Sequence, residues 1–185
     1  MSNYTPNLFA ALDLEMAQPS GKIIQIGMCL GDIQTGEIKE KYRWYVNPKE
    51  EITEYITNLT GITNDDIRKE GVSLKTAYEV LCDVYAQHRP FMNPLTWGGG
   101  DSQALRETLG IGKNQYFVFG RRWIDVKTVY QAWRHSQGEG PRSGLAKSML
   151  RLGLKFDGRK HDALDDAINT FRVYCELLRR FKNVK

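Results

Sequence analysis

Two acidic residues interrupt an otherwise apolar run, Leu8-Phe9-Ala10-Ala11-Leu12-Asp13-Leu14-Glu15-Met16. On a strand, side chains two apart share a face, so Asp13 and Glu15 project side by side from what reads as a core element. Two anions there repel each other and are costly to desolvate, and a divalent cation removes both difficulties. An acidic strand end that reaches solvent is the alternative. A further acid, Asp101, follows Leu95-Thr96-Trp97-Gly98-Gly99-Gly100. Here a short strand runs into glycines, which let a backbone turn sharply and approach a ligand. Asp101 then opens a helix, either as a ligand or as its N-cap. The densest group is His161-Asp162-Ala163-Leu164-Asp165-Asp166-Ala167. The helix dipole accounts for acids in a first turn but not for the histidine. Positions five apart on a regular helix diverge by about 140°, so His161 and Asp166 meet only if His161 precedes the helix. Asp162 and Asp166 are four apart and share a face, which makes Asp162 a rival.

Asp13, Glu15, Asp101 and Asp166 offer four carboxylates from three separate elements, about the number that two Mg²⁺ ions ~3.5–4 Å apart require. Such a pair activates a water and stabilises charge on a phosphate and its leaving oxygen. A neutral imidazole can take the proton of the attacking water and titrates near neutrality, and His161 is the histidine that stands beside acids. The three cysteines, Cys29, Cys82 and Cys175, and the three histidines form no ligand-like pairs. Any metal is therefore held by oxygen, which selects Mg²⁺ or Mn²⁺, and the cysteines are expected to be reduced. The net charge of +4 permits a phosphate-bearing partner. Positive charge gathers at Arg121-Arg122, at Lys155 to Lys160 and at Arg179 to Lys185, although solvated faces would look the same. The mean hydropathy of -0.48, with no apolar run approaching ~18 residues, excludes a transmembrane helix, and no membrane partner is expected. Residues 1–9 lack the basic start of a signal peptide, so the expected address is the cytoplasm, or the nucleus of a eukaryote.

The elements that must position these groups follow from periodicity. Leu8 to Glu15, Lys22 to Leu30 and Ile38 to Val46 read as three strands joined by tight turns, an antiparallel meander. Ser73 reads as a helix cap, followed by Leu74, Ala77, Tyr78, Leu81 and Val84-Tyr85 at helical spacing. Short strands are expected at Leu95 to Trp97 and Trp123 to Val126, and helices at Asp101 to Leu109, onward to about Arg134, and at Gly144 to Leu152. A glycine-rich loop spans Ser136 to Gly144. The last helix is expected from near His161 to about Phe181, with Leu164, Ile168, Phe171, Cys175 and Leu178 on its inner face. A β-meander followed by alternating helices and strands implies an α/β domain with a mixed sheet. The 185 residues are expected to form a single domain.

The order D-x-E, then D, then H-x-A-x-x-D resembles the DEDDh exonucleases. The resemblance implies a ribonuclease-H-like fold with a five-stranded mixed sheet and helices on both faces. It implies Asp13, Glu15, Asp101 and Asp166 as ligands of two Mg²⁺ (or Mn²⁺) ions, choosing Asp166 over Asp162 and Asp165, with His161 as general base. Within that family the chain is most similar to the branch that trims the 3′ ends of histone messages and small interfering RNAs. Leu59-Thr60-Gly61-Ile62-Thr63, Thr96-Trp97-Gly98, Ile124-Asp125-Val126-Lys127 and Gly153 to Asp166 carry this narrower likeness. The implied activity is 3′→5′ hydrolysis of single-stranded RNA or DNA ends, RNA favoured, and a homodimer is expected on the same ground. Many members place a threonine near the first glutamate; here Met16-Ala17 follow it, and these two, with Trp97, are the expected contacts to the last nucleotide. A DNA substrate and an idle binding protein on the same fold are the competing readings. An idle copy would be expected to lack a ligand, and all five positions are filled.

Overall fold

The computed structural model describes residues 7–112, 114–120, 122–140 and 144–182. Arg121 of one basic pair, residues 141–143 of the glycine-rich loop, residues 183–185 of the basic tail and residues 1–6 lie outside them. Strands β1 (Leu8–Met16), β2 (Ile23–Asp32) and β3 (Ile38–Tyr45) form the expected antiparallel meander. The two-residue strands β4 (Leu95–Thr96) and β5 (Ile124–Asp125) add to it in parallel, giving the order β3-β2-β1-β4-β5. The apolar run that carries Asp13 and Glu15 is thus the central strand.

Alternation along β1 sorts its side chains between two cores. Ala10, Leu12 and Leu14 pack with Leu81 of α3 (Leu74–His88) and Leu105 of α4 (Asp101–Thr108). Phe9 and Ala11 face α5 (Val126–Ser136), α6 (Leu145–Arg151) and α7 (Ala163–Lys182). Helices therefore cover both faces of a mixed five-stranded sheet, the ribonuclease-H-like arrangement. By the same alternation Asp13 and Glu15 point to the α7 side.

What lets α7 come close is the absence of bulk. A Cβ on Gly27 of β2 would lie 2.1 Å from the Ala163 backbone, and Ala163 and Ala167 are fully buried. Of the expected inner face, Ile168 and Phe171 are buried. Ala163, Ala167, Phe171, Val173 and Leu177 are buried, whereas Leu164, Cys175 and Leu178 are only partly covered. The alanines, small enough to touch the sheet, set the face more than the larger residues do.

Two helices were not expected from periodicity, α1 (Glu54–Thr60) and α2 (Asn64–Glu70). Each begins at a threonine whose hydroxyl accepts an amide of the first turn, and Thr63 with Asp66 forms a reciprocal capping box. Their Ile56 and Ile67 join Ile24, Ile62 and Ala17 in a third apolar cluster at the end of β1. Among the described residues no helix is long and apolar enough to cross a membrane.

Candidate active site

The ends of three elements converge on the α7 face of β1. Glu15 stands across the sheet from Gln25. Asp101 is the first residue of α4, and its N-cap is Gly100, which makes no side-chain cap. Asp101 is therefore not the N-cap but the acid of the first turn of α4. α7 starts only at Ala163, and His161 sits before it with φ 61°. This is the off-helix placement that lets it meet Asp166. Glu15, His161 and Asp166 each bring a ligand atom within 4.8 Å of the other two. The His161 backbone N–H donates to Asp166 Oδ2 at 3.2 Å.

Asp13 and Asp101 complete the acidic group through their charges. Burial drives the Asp13 carboxyl well above the ordinary carboxylate range, and the charges of Asp101, Asp166 and Glu15 push the same way. Burial, then the charges of Asp166, Asp162 and Asp101, pushes Glu15 up to about 8. Asp101 is raised to about 6 by burial, against backbone hydrogen bonds from its own amide and that of Leu14. Burial likewise lifts Asp166 to about 6, with the His161 amide opposing. Four acids that disfavour each other's ionisation, with an imidazole at the rim, form an oxygen-rich donor set that a hard divalent cation would relieve.

Asp162 has another task. Its Oδ1 accepts the amides of Leu164 and Asp165, both at 3.1 Å, and the Arg43 guanidinium at 2.8 Å. Its Oδ2 accepts Gln25 Nε2 at 3.1 Å. It caps α7 and docks that helix on the sheet. Asp165 Oδ2 accepts the Arg159 amide at 2.7 Å. Of the three clustered aspartates, Asp166 is the one whose carboxylate faces Glu15 and His161. Gln25 and Arg43 were missed by motif reasoning. Gln25 is fully buried, and its Oε1 accepts the Ala163 amide at 2.7 Å. An amide side chain inside Ile23-Ile24-Gln25-Ile26 was the available signal, because a buried amide demands partners.

The residues expected at the last nucleotide separate. Met16 is half-buried against the first core. Ala17 is 2% exposed in the third cluster, where it packs the end of β1. Trp97 lies on the second core, tilted 47° to Tyr130 at 6.0 Å. A cavity of about 800 Å³ adjoins Asp101 rather than enclosing it. Gly98, Gly99, Ser102, Arg106 and Trp123 are among its walls, and a Cβ on Gly98, Gly99 or Gly100 would meet nothing within 4 Å.

Comparison with known proteins gives concordant results. Residues 10–93 match the family model described as Exonuclease (RNase_T). The chain is 27% identical to ERI1 exoribonuclease 2 of Mus musculus over 183 residues, covering 86% of this chain and 26% of that protein. It is 27% identical to the 3′-5′ exonuclease Snipper of Drosophila melanogaster over 183 residues, covering 85% of this chain and 61% of that one. The chain thus spans from about a quarter to about three-fifths of these relatives. Its fold superposes with a TM-score of 0.83 on the nuclease domain of 3′hExo, a DEDDh family member bound to rAMP, at 23% identity over 100% of this chain and 98% of that one.

Proposed function

We propose that this chain, which carries a DEDDh-type exonuclease domain, hydrolyses the terminal phosphodiester at the 3′ end of single-stranded nucleic acid, RNA in preference to DNA. The observation that carries the reading is the convergence of Glu15, His161 and Asp166 within 4.8 Å, beside Asp13 and Asp101, in a group whose acids are held above their ordinary range. Asp13, Glu15, Asp101 and Asp166 would hold two Mg²⁺ or Mn²⁺ ions. When bound, such ions make a water more acidic and neutralise charge on the phosphate and the leaving oxygen.

The chain's own groups do the rest. His161, exposed at the rim, accepts the proton of the attacking water at a ring nitrogen. Asp166 orients it through the backbone N–H. Three glycines without side chains leave the nucleic acid room to reach Asp101, and the adjoining cavity takes the terminal nucleoside. The preference for RNA is supported by the exoribonuclease among the relatives. The test is a time course with 5′-labelled single-stranded RNA and the matched DNA, in Mg²⁺ and in EDTA. A ladder that shortens from the 3′ end, faster for RNA and absent in EDTA, is the expected result. Internal cleavage, or cutting that persists in EDTA, would refute it.

A further inference from the structure

The run Leu59-Thr60-Gly61-Ile62-Thr63 has no part in the chemistry above, yet it lies against the loop that carries His161. Gly61 closes α1 in the left-handed region, with φ 80°. A Cβ there would lie 1.9 Å from Nη1 and 2.3 Å from Cζ of Arg159. The guanidinium therefore occupies the space that a side chain at position 61 would need. Its Nη2 donates to the Asn58 carbonyl at 3.4 Å. That acceptor belongs to the last turn of α1, where carbonyls lack helical partners and positive charge is favoured.

The loop is held on its other side as well. The Arg159 amide donates to Asp165 Oδ2 at 2.7 Å, and two residues later the His161 amide donates to Asp166. His161 is in the left-handed region, with φ 61°, a conformation that costs a non-glycine residue energy and persists only where its surroundings hold it. α1 is itself anchored, because Ile56 is 1% exposed and packs in the cluster that contains Ala17. Ala17 follows Glu15 by two residues. A continuous packed path thus joins the Glu15 end of β1, through α1, to the histidine loop.

We propose that Arg159 is a positioning residue, whose guanidinium, seated on Gly61 and Asn58, latches the histidine loop to α1 and so sets where His161 stands relative to Glu15 and Asp166. The catalytic consequence rests on the hydrolytic reading of the site; the latch itself does not.

Arg159→Ala is expected to lower kcat on single-stranded RNA roughly 10- to 100-fold with KM within about twofold, the scale on which ~1 Å of misplacement acts. A residue that gripped substrate phosphate would show the opposite split, a raised KM with kcat kept, and that result overturns the proposal. Arg159→Lys should recover most of the lost kcat, since an ammonium reaches the same helix end. Gly61→Ala evicts the guanidinium without changing charge; its loss should not add to that of Arg159→Ala in the double variant. Additive losses would overturn the latch. If Gly61→Ala melts early because of its backbone conformation, the Arg159 pair of variants decides alone. Should the unmodified protein turn over no RNA, the reading of the site fails, and hydrogen exchange still judges the latch. Peptides across 153–162 should exchange faster in Arg159→Ala than in the unmodified protein, and equal exchange refutes it.

Discussion

The two walls of the acidic group are built in opposite ways. On the β2–α7 side the polar groups around the start of α7 are densely engaged. Asp162 accepts hydrogen bonds from Leu164, Asp165, Arg43 and Gln25, Gln25 also receives the Ala163 amide, and Gly27 leaves no room for a Cβ. On the β4–α4 side Asp101 follows a two-residue strand and three glycines that have open space around them, and its helix lacks a side-chain cap. One wall is over-determined and the other is permissive. Under the proposed function, packing of this kind would keep Glu15 and Asp166 fixed while a chain end enters past Asp101.

Five variants or conditions would break or sharpen that contrast. Asp13→Ala should abolish turnover in the RNA ladder assay; near-normal turnover would dissolve the idea of a shared metal site. His161→Ala should slow turnover by roughly 10²–10⁴-fold, the usual worth of a general base, and an unchanged rate would assign the proton to another group. On the fixed wall, Gly27→Ala must push α7 off the sheet and should cost about 1–3 kcal/mol or more in a denaturant titration. An innocuous change there would show the wall to be soft. On the permissive wall, Gly99→Ala should stay within ~0.5 kcal/mol, and a loss comparable to Gly27→Ala would erase the contrast.

Between these last two in size lies a pH effect. Glu15 is held at about 8 and Asp101 and Asp166 at about 6, all above their ordinary values. An acid raised in the folded state favours folding below its unfolded value, near 4, and that contribution is lost as pH climbs through the folded value. The metal-free protein in EDTA should therefore melt progressively lower from about pH 5 to about pH 8. Mg²⁺ should flatten the decline, and a pH-independent melting temperature in EDTA would count against the strained acid group.

Much of this is legible in the sequence, for physical reasons. A strand with two acids in a Leu-Ala-Phe background announces a polar task because core strands otherwise exclude charge. The meander and the longer helices follow from periodicity. The seven-residue helices α1 and α2 do not, since each shows too few turns for an apolar face to repeat; Thr63-Asn64-Asp65-Asp66 was their readable mark. The resemblance chose Asp166 over Asp162, but helical geometry alone could not, because both lie on one face; the partners that engage Asp162, Gln25 and Arg43, stand 137 and 119 residues away in the chain. The burial of Ala17 was unreadable for a related reason: its position near Glu15 in sequence says nothing of the isoleucines from α1 and α2 that cover it.

The most direct test of the central claim is a Mn²⁺ titration followed by electron paramagnetic resonance, with a 5′ nucleoside monophosphate present, on the unmodified protein and on Asp13→Asn. The unmodified protein should take up Mn²⁺ tightly, and the variant, still folded, should not. Equal uptake by both proteins, or none by either, would contradict the claim.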